Sequence, residues 1–235
     1  MGSDGVPIGR RVVLGMLGLG AVGVLTGRAV QHGVERAIAP VQNADPTGIS
    51  GLVPTGSGFR YYSVAGGVPT VPRGRYRLQV GGLVERPLRL TLDDLRGMPQ
   101  THLTRDFQCV TGWRVSQVPW SGVLLRDLLD RAGVLSSARA VTFLSFDGIY
   151  TDTLTLTEAT RSDVLVALRM LGAPVTPAHG GPVRLYVAPM YGYKSVKWLG
   201  GIALTAHARP GYWEGYGYDV EAWVGRSNGR HDART

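Results

Sequence analysis

The 235-residue sequence contains one cysteine, Cys109. A lone thiol cannot close an internal disulfide. It stands in no CxxC pair and next to no histidine, so zinc binding and thioredoxin-type chemistry have no support. A single free cysteine neither requires nor forbids an oxidising compartment. Charged residues are sparse, 18% against 44% hydrophobic, which excludes a disordered or coiled chain. GxxxxGK[ST] is missing, so no P-loop forms. The chain shows no internal repeat. Lys and Arg outnumber Asp and Glu by 25 to 17, yet they are scattered, with no basic helix and no RNP-type motif. Nucleic acid is therefore not the expected partner; an anionic small ligand or a membrane surface asks less of such a charge.

What the chain does have is 34 glycines and 14 prolines, the composition of many short elements joined by turns. The first 39 residues differ in kind. Arg10 and Arg11 precede an apolar run from Val12 to Thr26, shorter than the ~20 residues a comfortable transmembrane helix needs. The pattern fits an export signal or a retained anchor, with a buried N-terminal helix as the alternative. The paired arginines resemble a twin-arginine signal, although Gly9 and Val13 depart from its usual residues. Pro40 follows the cleavage candidate Ala37-Ile38-Ala39, so the segment is expected to stay attached. Residues 40–58 read as a linker and 59–235 as the folded domain.

In that domain "RYRLQVGGLVERPLRL" predicts two strands around a turn, and Thr91 with Asp94 predicts a capped short helix ended by Gly97 and Pro99. Leu124, Leu125, Leu128 and Leu129 mark one buried helical face. "AVTFLSFDG", "VLVALRML" and "VRLYVAP" have the length of core strands, and "SVKWLGGIALTA" predicts a final strand pair. The aromatic tail beyond Pro210 is expected to wrap over the domain.

Two stretches could carry chemistry. "RDFQCVTGWRV" sets Cys109 among Arg105, Arg114 and Gln108; the thiol is either an inert buried group or a thiolate favoured by inward-turned cations. "HGGPVRLYVAPMYGYKSVKWLGGI" offers His179, a Gly180-Gly181 turn, Arg184, Lys194, Ser195 and Lys197. Its backbone N–H groups and cations could cradle a phosphate, or the segment could be only a turn.

Taken together and in this order, "FQCVTGW…VPWSGVLLRDLL" and "HGGPVRL…YGYKSVKWLGGI" resemble the sulfite-oxidase-type molybdopterin-binding domain. That family also includes the bacterial periplasmic protein-methionine-sulfoxide reductase catalytic subunit. The resemblance runs roughly from Phe59 to Trp213. It implies an α+β catalytic domain with mixed sheets and short helices, a molybdenum-molybdopterin cofactor, and Cys109 as the only protein ligand to the metal. It also assigns cofactor contacts to Arg60, Tyr61, Ser145, His179 and Arg184, and the phosphate-holding turn to Ser195, Val196 and Lys197. Tyr150 matches a tyrosine beside the metal, and Trp120 a pocket-wall tryptophan.

Arg114 matches an anion-binding arginine of sulfite oxidases. If it faces the cavity, charge-assisted bonds of about 1.5–3 kcal/mol each would favour sulfite; otherwise it faces solvent. The expected activity is oxygen-atom transfer on a sulfur oxyanion, a sulfoxide or an N-oxide. No haem-binding domain or immunoglobulin-like dimerisation domain is evident, so electrons are expected to pass through a cytochrome partner, soluble or membrane-bound. The rival reading is a membrane-tethered binding module that kept the fold without turnover.

Overall fold

Alternation of Tyr76, Leu78 and Val80 produces a strand whose inward residues are sealed in the core, β1 (Leu78–Gly82), and Pro87 limits its neighbour β2 (Leu88–Leu90). This is a computed structural model, and it describes Phe59 and residues 63–226. The N-terminal expectations, Arg60 and Tyr61 included, lie outside the described residues.

Thr91 caps α1 (Leu92–Gly97): its hydroxyl accepts from the Asp94 amide at 3.0 Å while the Asp94 carboxylate accepts from the Thr91 amide at 2.8 Å. Helix α2 (Leu125–Ala132) buries Leu125, Leu128, Leu129 and Ala132, and Gly133 ends it in a left-handed conformation. Leu124 is the residue before the helix and still belongs to a strand. A one-turn helix, α3 (Leu156–Ala159), is capped by Thr155 and Glu158 in the same manner as α1.

The remaining strands are β3 (Thr101–Gln108), β4 (Arg114–Leu124), β5 (Ala140–Ser145), β6 (Thr151–Thr155), β7 (Val164–Met170), β8 (Ala173–Pro174), β9 (Arg184–Val187) and β10 (Leu199–Thr205). One sheet runs β2-β1-β10-β5-β6; the other runs β3-β4-β7-β8, with β9 also on β7. Among the described residues only the pairing of β1 with β10 is parallel, and these two strands lie side by side within their sheet, flanked by β2 and β5. "SVKWLGGIALTA" therefore forms one strand instead of a pair, because both of its edges are taken, by β1 and β5. Strand β7 is flanked by β4 and β9 and buried on both faces as far as Leu168, which is why residues 164–168 read as an unbroken apolar run; Arg169 is exposed. A Cβ at Gly122 would stand 2.1 Å from the Val166 carbonyl oxygen, so glycine lets β4 and β7 approach.

Two apolar clusters result. The larger packs α2 against β1, β5, β7 and β10; the smaller gathers Phe107, Val118, Trp120, Leu165 and Tyr186. The C-terminal tail returns across the domain. The Tyr212 amide donates to Thr151 O at 2.9 Å, and the Tyr191 amide donates to Ala222 O at 2.8 Å.

Candidate active site

Links leaving β3, β5, β8 and β9 converge, with the aromatic tail, on a cavity of about 400 Å³. Cys109 lies in the tight turn between β3 and β4, closed by bonds from its amide to Trp113 O (2.9 Å) and from the Gly112 amide to Cys109 O (3.0 Å). Its thiol is half-buried on the cavity wall, and the Thr111 hydroxyl approaches Sγ at 3.2 Å.

His179, Arg184, Ser195 and Lys197 line the same cavity. Arg184, at the start of β9, is buried beneath it. Its guanidinium donates to His179 O (2.8 Å), Ser195 O (3.1 Å) and Leu185 O (3.3 Å), and its charge lies 5.4 and 5.5 Å from the Phe107 and Trp120 ring centres. Those partners are carbonyls and ring faces, so the positive charge is held without being neutralised. Burial lowers its pKa to about 10, and it stays protonated at neutral pH.

His179 ends a 3-10 turn, Pro177–His179, and Gly180 leaves that turn in a left-handed conformation. A Cβ at Gly180 would sit 2.7 Å from Lys197 Cβ, so the glycine is where the lysine stem packs. Burial first, then Arg184 and Lys197, push His179 down to about 4; its imidazole is neutral. Burial and Arg184 bring Lys197 down to about 7, with Cys109 acting in the opposite sense.

Other expected residues play different parts. Ser195 Oγ accepts from the Val187 amide at 3.0 Å, and Val196 is core, its carbonyl accepting from Leu185. Ser145 is buried behind the wall. Its hydroxyl bonds Asp147 and accepts from the Tyr150 amide at 3.0 Å, so Asp147, not Ser145, reaches the cavity. Tyr150 does line it, and its hydroxyl donates to Tyr193 O at 2.6 Å. Burial holds that phenol protonated, with Asp152 and Glu214 adding to the effect. Trp120 supports the site from below, stacked on Tyr186 at 4.1 Å, and is not part of the wall.

Arg114 is not brought to the cavity. Its Nε donates to Gln108 Oε1 at 2.6 Å and its Nη1 is 3.6 Å from Asp106, across the mouth of the β3–β4 hairpin. Arg105 is exposed. Lys194, which the motif places beside Lys197, points away and is buried between Asp152 and Glu214.

Asp147, Tyr193, Trp213 and Tyr218 on the wall escaped the sequence reading. Asp147 had a signal, the Asp-Gly turn directly after Ser145-Phe146; the aromatics of the tail had none beyond their density.

Among the described residues no group of three His, Cys, Asp or Glu side chains could hold a metal between them. A metal at Cys109 would thus take its other ligands from a bound group. The cavity suits such a group: one soft sulfur donor, two basic side chains, a single lining carboxylate, and walls of aromatic and aliphatic side chains with a few polar groups, His179 and Ser195 among them.

Comparison with known proteins decides the family. Residues 65–213, more than half of the chain, match the oxidoreductase molybdopterin binding domain. The chain belongs to this family. It is 38% identical over 146 residues to the uncharacterized oxidoreductase YuiH of Bacillus subtilis, covering 62% of this chain and 73% of that one. The sulfite oxidase of Arabidopsis thaliana is 31% identical over 171 residues, covering 58% of this chain and 44% of the plant protein. The protein-methionine-sulfoxide reductase catalytic subunit MsrP of Campylobacter jejuni is 30% identical over 157 residues, covering 60% and 52%. The crystal structure of the sulfane dehydrogenase SoxCD from Paracoccus pantotrophus superposes with a TM-score of 0.56 at 25% identity, over 61% of this chain and 41% of that one. The molybdopterin-domain family and its mixed-sheet α+β fold agree with the expectation from the two motifs. This chain spans only about half of the sulfite oxidase and of MsrP.

Proposed function

We propose that the chain is a molybdenum-molybdopterin oxidoreductase that transfers an oxygen atom to or from a sulfur substrate, a sulfur oxyanion or a sulfoxide, with N-oxides as chemically similar candidates. The observation that carries this reading is the convergence of the one thiol, Cys109, with Arg184, His179 and Lys197 on a single cavity. Relatives named sulfite oxidase and methionine-sulfoxide reductase support the sulfur chemistry.

The bound group would supply the two-electron oxygen-atom exchange. This chain's residues do the rest. Cys109 offers the soft donor; Lys197 and the adjoining turn offer charge and N–H groups to a phosphate; neutral His179 can meet a heterocycle as donor or acceptor. Tyr150 keeps its proton, donates it to Tyr193 O in a hydrogen bond, and presents a fixed ring and a hydroxyl oxygen that can accept from a bound group. For a sulfoxide the net reaction consumes two electrons and two protons and yields a thioether and water; sulfite with water yields sulfate and releases the same number.

The seating of Arg114 on Asp106 and Gln108 favours the neutral substrate over the oxyanion. Electrons would pass to or from a cytochrome, and Arg10-Arg11 with the short apolar run supports export, with a twin-Lys variant expected to remain in the cytoplasm.

The test is expression in a molybdopterin-competent host, metal analysis, and assays in both directions with artificial electron donor and acceptor. One molybdenum per chain with turnover lost in Cys109→Ser is expected. Zinc or no metal in fresh protein would defeat the reading.

A further inference from the structure

Behind the cavity lies a charged cluster that the proposed chemistry does not use. Lys194 Nζ is 2.8 Å from Asp152 Oδ1, also bonds Glu214, and donates to Thr153 O at 3.2 Å; all three charged side chains are about 99% to 98% shielded from solvent. One ammonium faces two carboxylates. Asp152 Oδ2 and Glu214 Oε2 are buried with no hydrogen-bond partner among the described residues, an arrangement that calls for one more proton.

The cluster also has a fixed relation to the cavity. Asp152 is two residues after Tyr150, Lys194 directly follows Tyr193, and Glu214 directly follows Trp213. Tyr150, Tyr193 and Trp213 all line the cavity. Three separate segments, the start of β6, the 3-10 turn Gly192–Lys194 and the tail turn Glu214–Tyr216, are thus pinned by one knot, and each presents an aromatic ring on its far side.

We propose that the Lys194–Asp152–Glu214 cluster positions this aromatic wall and, by holding one proton between its two carboxyl groups, sets how strongly the cavity takes an anion. The proposal rests on the oxidoreductase reading for its choice of ligand. With the proton the cluster is neutral. Without it a buried negative charge stands behind Tyr150 and repels an anion in the cavity. Burial drives Asp152 up to about 8 against the pull of Lys194, with Glu214 reinforcing the rise, so the change falls in an accessible range. The titratable groups facing the cluster are the phenols of Tyr150, which feels both carboxylates, and Tyr193, whose ring centre lies 5.9 Å from Lys194 Nζ. The cavity beyond carries Cys109, Asp147, His179, Arg184 and Lys197.

The test uses holoprotein of verified molybdenum content, with sulfate as the probe anion, in the parent and in Asp152→Asn and Glu214→Gln. Either variant leaves Lys194 one carboxylate and removes the extra charge at every pH. Between pH 7 and 9 the parent is expected to lose about four- to tenfold more sulfate affinity than either variant, the effect on a dianion of a unit charge roughly 10 Å away at an effective dielectric of about 50–80. Titration of Lys197 contributes alike in all three and cancels. A wall held by packing alone would give the same pH profile in parent and variants, which overturns the proposal; so does sulfate that fails to bind the parent at any pH. Should both variants fail to fold, infrared titration of the parent reads the carboxyl groups directly. A buried carboxylic acid present at pH 7 and ionising near pH 8 is expected, and full ionisation at pH 7 overturns it. That readout works without cofactor, so it stays separate from failure of the oxidoreductase reading, which appears as absent molybdenum.

Discussion

Lys194 and Lys197 belong to one motif, "YGYKSVKW", and lie three residues apart, yet the fold sends them to opposite environments. The 3-10 turn ending at Lys194 directs that side chain toward β6 and the tail, where two carboxylates receive it. Val196 then enters the core, and Lys197 emerges on the cavity beside Arg184. Burial disfavours both ammonium groups, but Asp152 and Glu214 more than reverse the effect at Lys194, whereas Arg184 deepens it at Lys197. At Lys194 two carboxylates hold the positive charge in place; at Lys197 burial and the neighbouring guanidinium disfavour it.

The largest effect belongs to the cavity side. Cys109→Ser replaces the soft donor with a hydroxyl that binds such a metal poorly. Turnover is expected to vanish while the thermal midpoint of the cofactor-free protein moves little, since the thiol is only half-buried in a surface turn. Steady-state assay and a melting curve check both halves.

The comparison breaks if the two lysines behave alike. Lys194→Met strands two carboxylates in the core and should cost about 3–5 kcal/mol of stability, the usual penalty for removing one partner of a buried ion pair. Denaturant unfolding of the cofactor-free protein measures it. Lys197→Met should act in reverse: the cofactor-free protein becomes more stable near pH 7, because a group held down to about 7 no longer has to give up its proton or remain charged there, while pterin content after expression falls. Equal pterin in mutant and parent would reduce Lys197 to a packing residue.

The same contrast has a pH signature of opposite signs. Asp152 holds its proton up to about pH 8 in the fold and only to about 4 when unfolded. The folded state therefore binds the extra proton between those values, and stability from this group falls as pH rises through that window, by up to about 1.4 kcal/mol per unit. Lys197 has a folded value near 7 and an unfolded value near 10.4, so its contribution rises with pH between them and is lost as pH falls through 7. Asp152→Asn should remove the falling part and Lys197→Met the rising part, each read from denaturation midpoints across pH 5–10.

Much of this was legible in the chain because its signals are local. The Thr91/Asp94 cap, the leucine face of α2 and the apolar run of β7 over residues 164–168 each follow from spacing within about ten residues. Cys109 and the "HGGPVR" turn stood out as motifs. What escaped notice depends on segments far apart in sequence. Nothing in the spacing of Asp152, Lys194 and Glu214 announces that they meet, because their meeting requires β6, the turn after β9 and the returning tail to be in place. β10 read as a strand pair for a related reason: its glycines resemble a turn until the parallel neighbour β1 is known.

The smallest effect is expected at Arg114. The resemblance to sulfite oxidases gives an arginine five residues after the cysteine a substrate-binding role, which would make Arg114→Ser raise KM for sulfite by about tenfold or more. The structure gives its guanidinium other work: Nε is bonded to Gln108 Oε1 and Nη1 lies near Asp106, pinning the hairpin that carries Cys109. A partly exposed pair of this kind contributes about 0–1 kcal/mol. Arg114→Ser should therefore change KM for sulfite or a sulfoxide by less than about threefold, and by similar factors for both. A large rise confined to sulfite would mean that the side chain leaves Asp106 and swings to the cavity when an anion enters. The contrast drawn from the two lysines would then need a third cation on the ligand side, and the oxyanion would displace the sulfoxide as the favoured substrate.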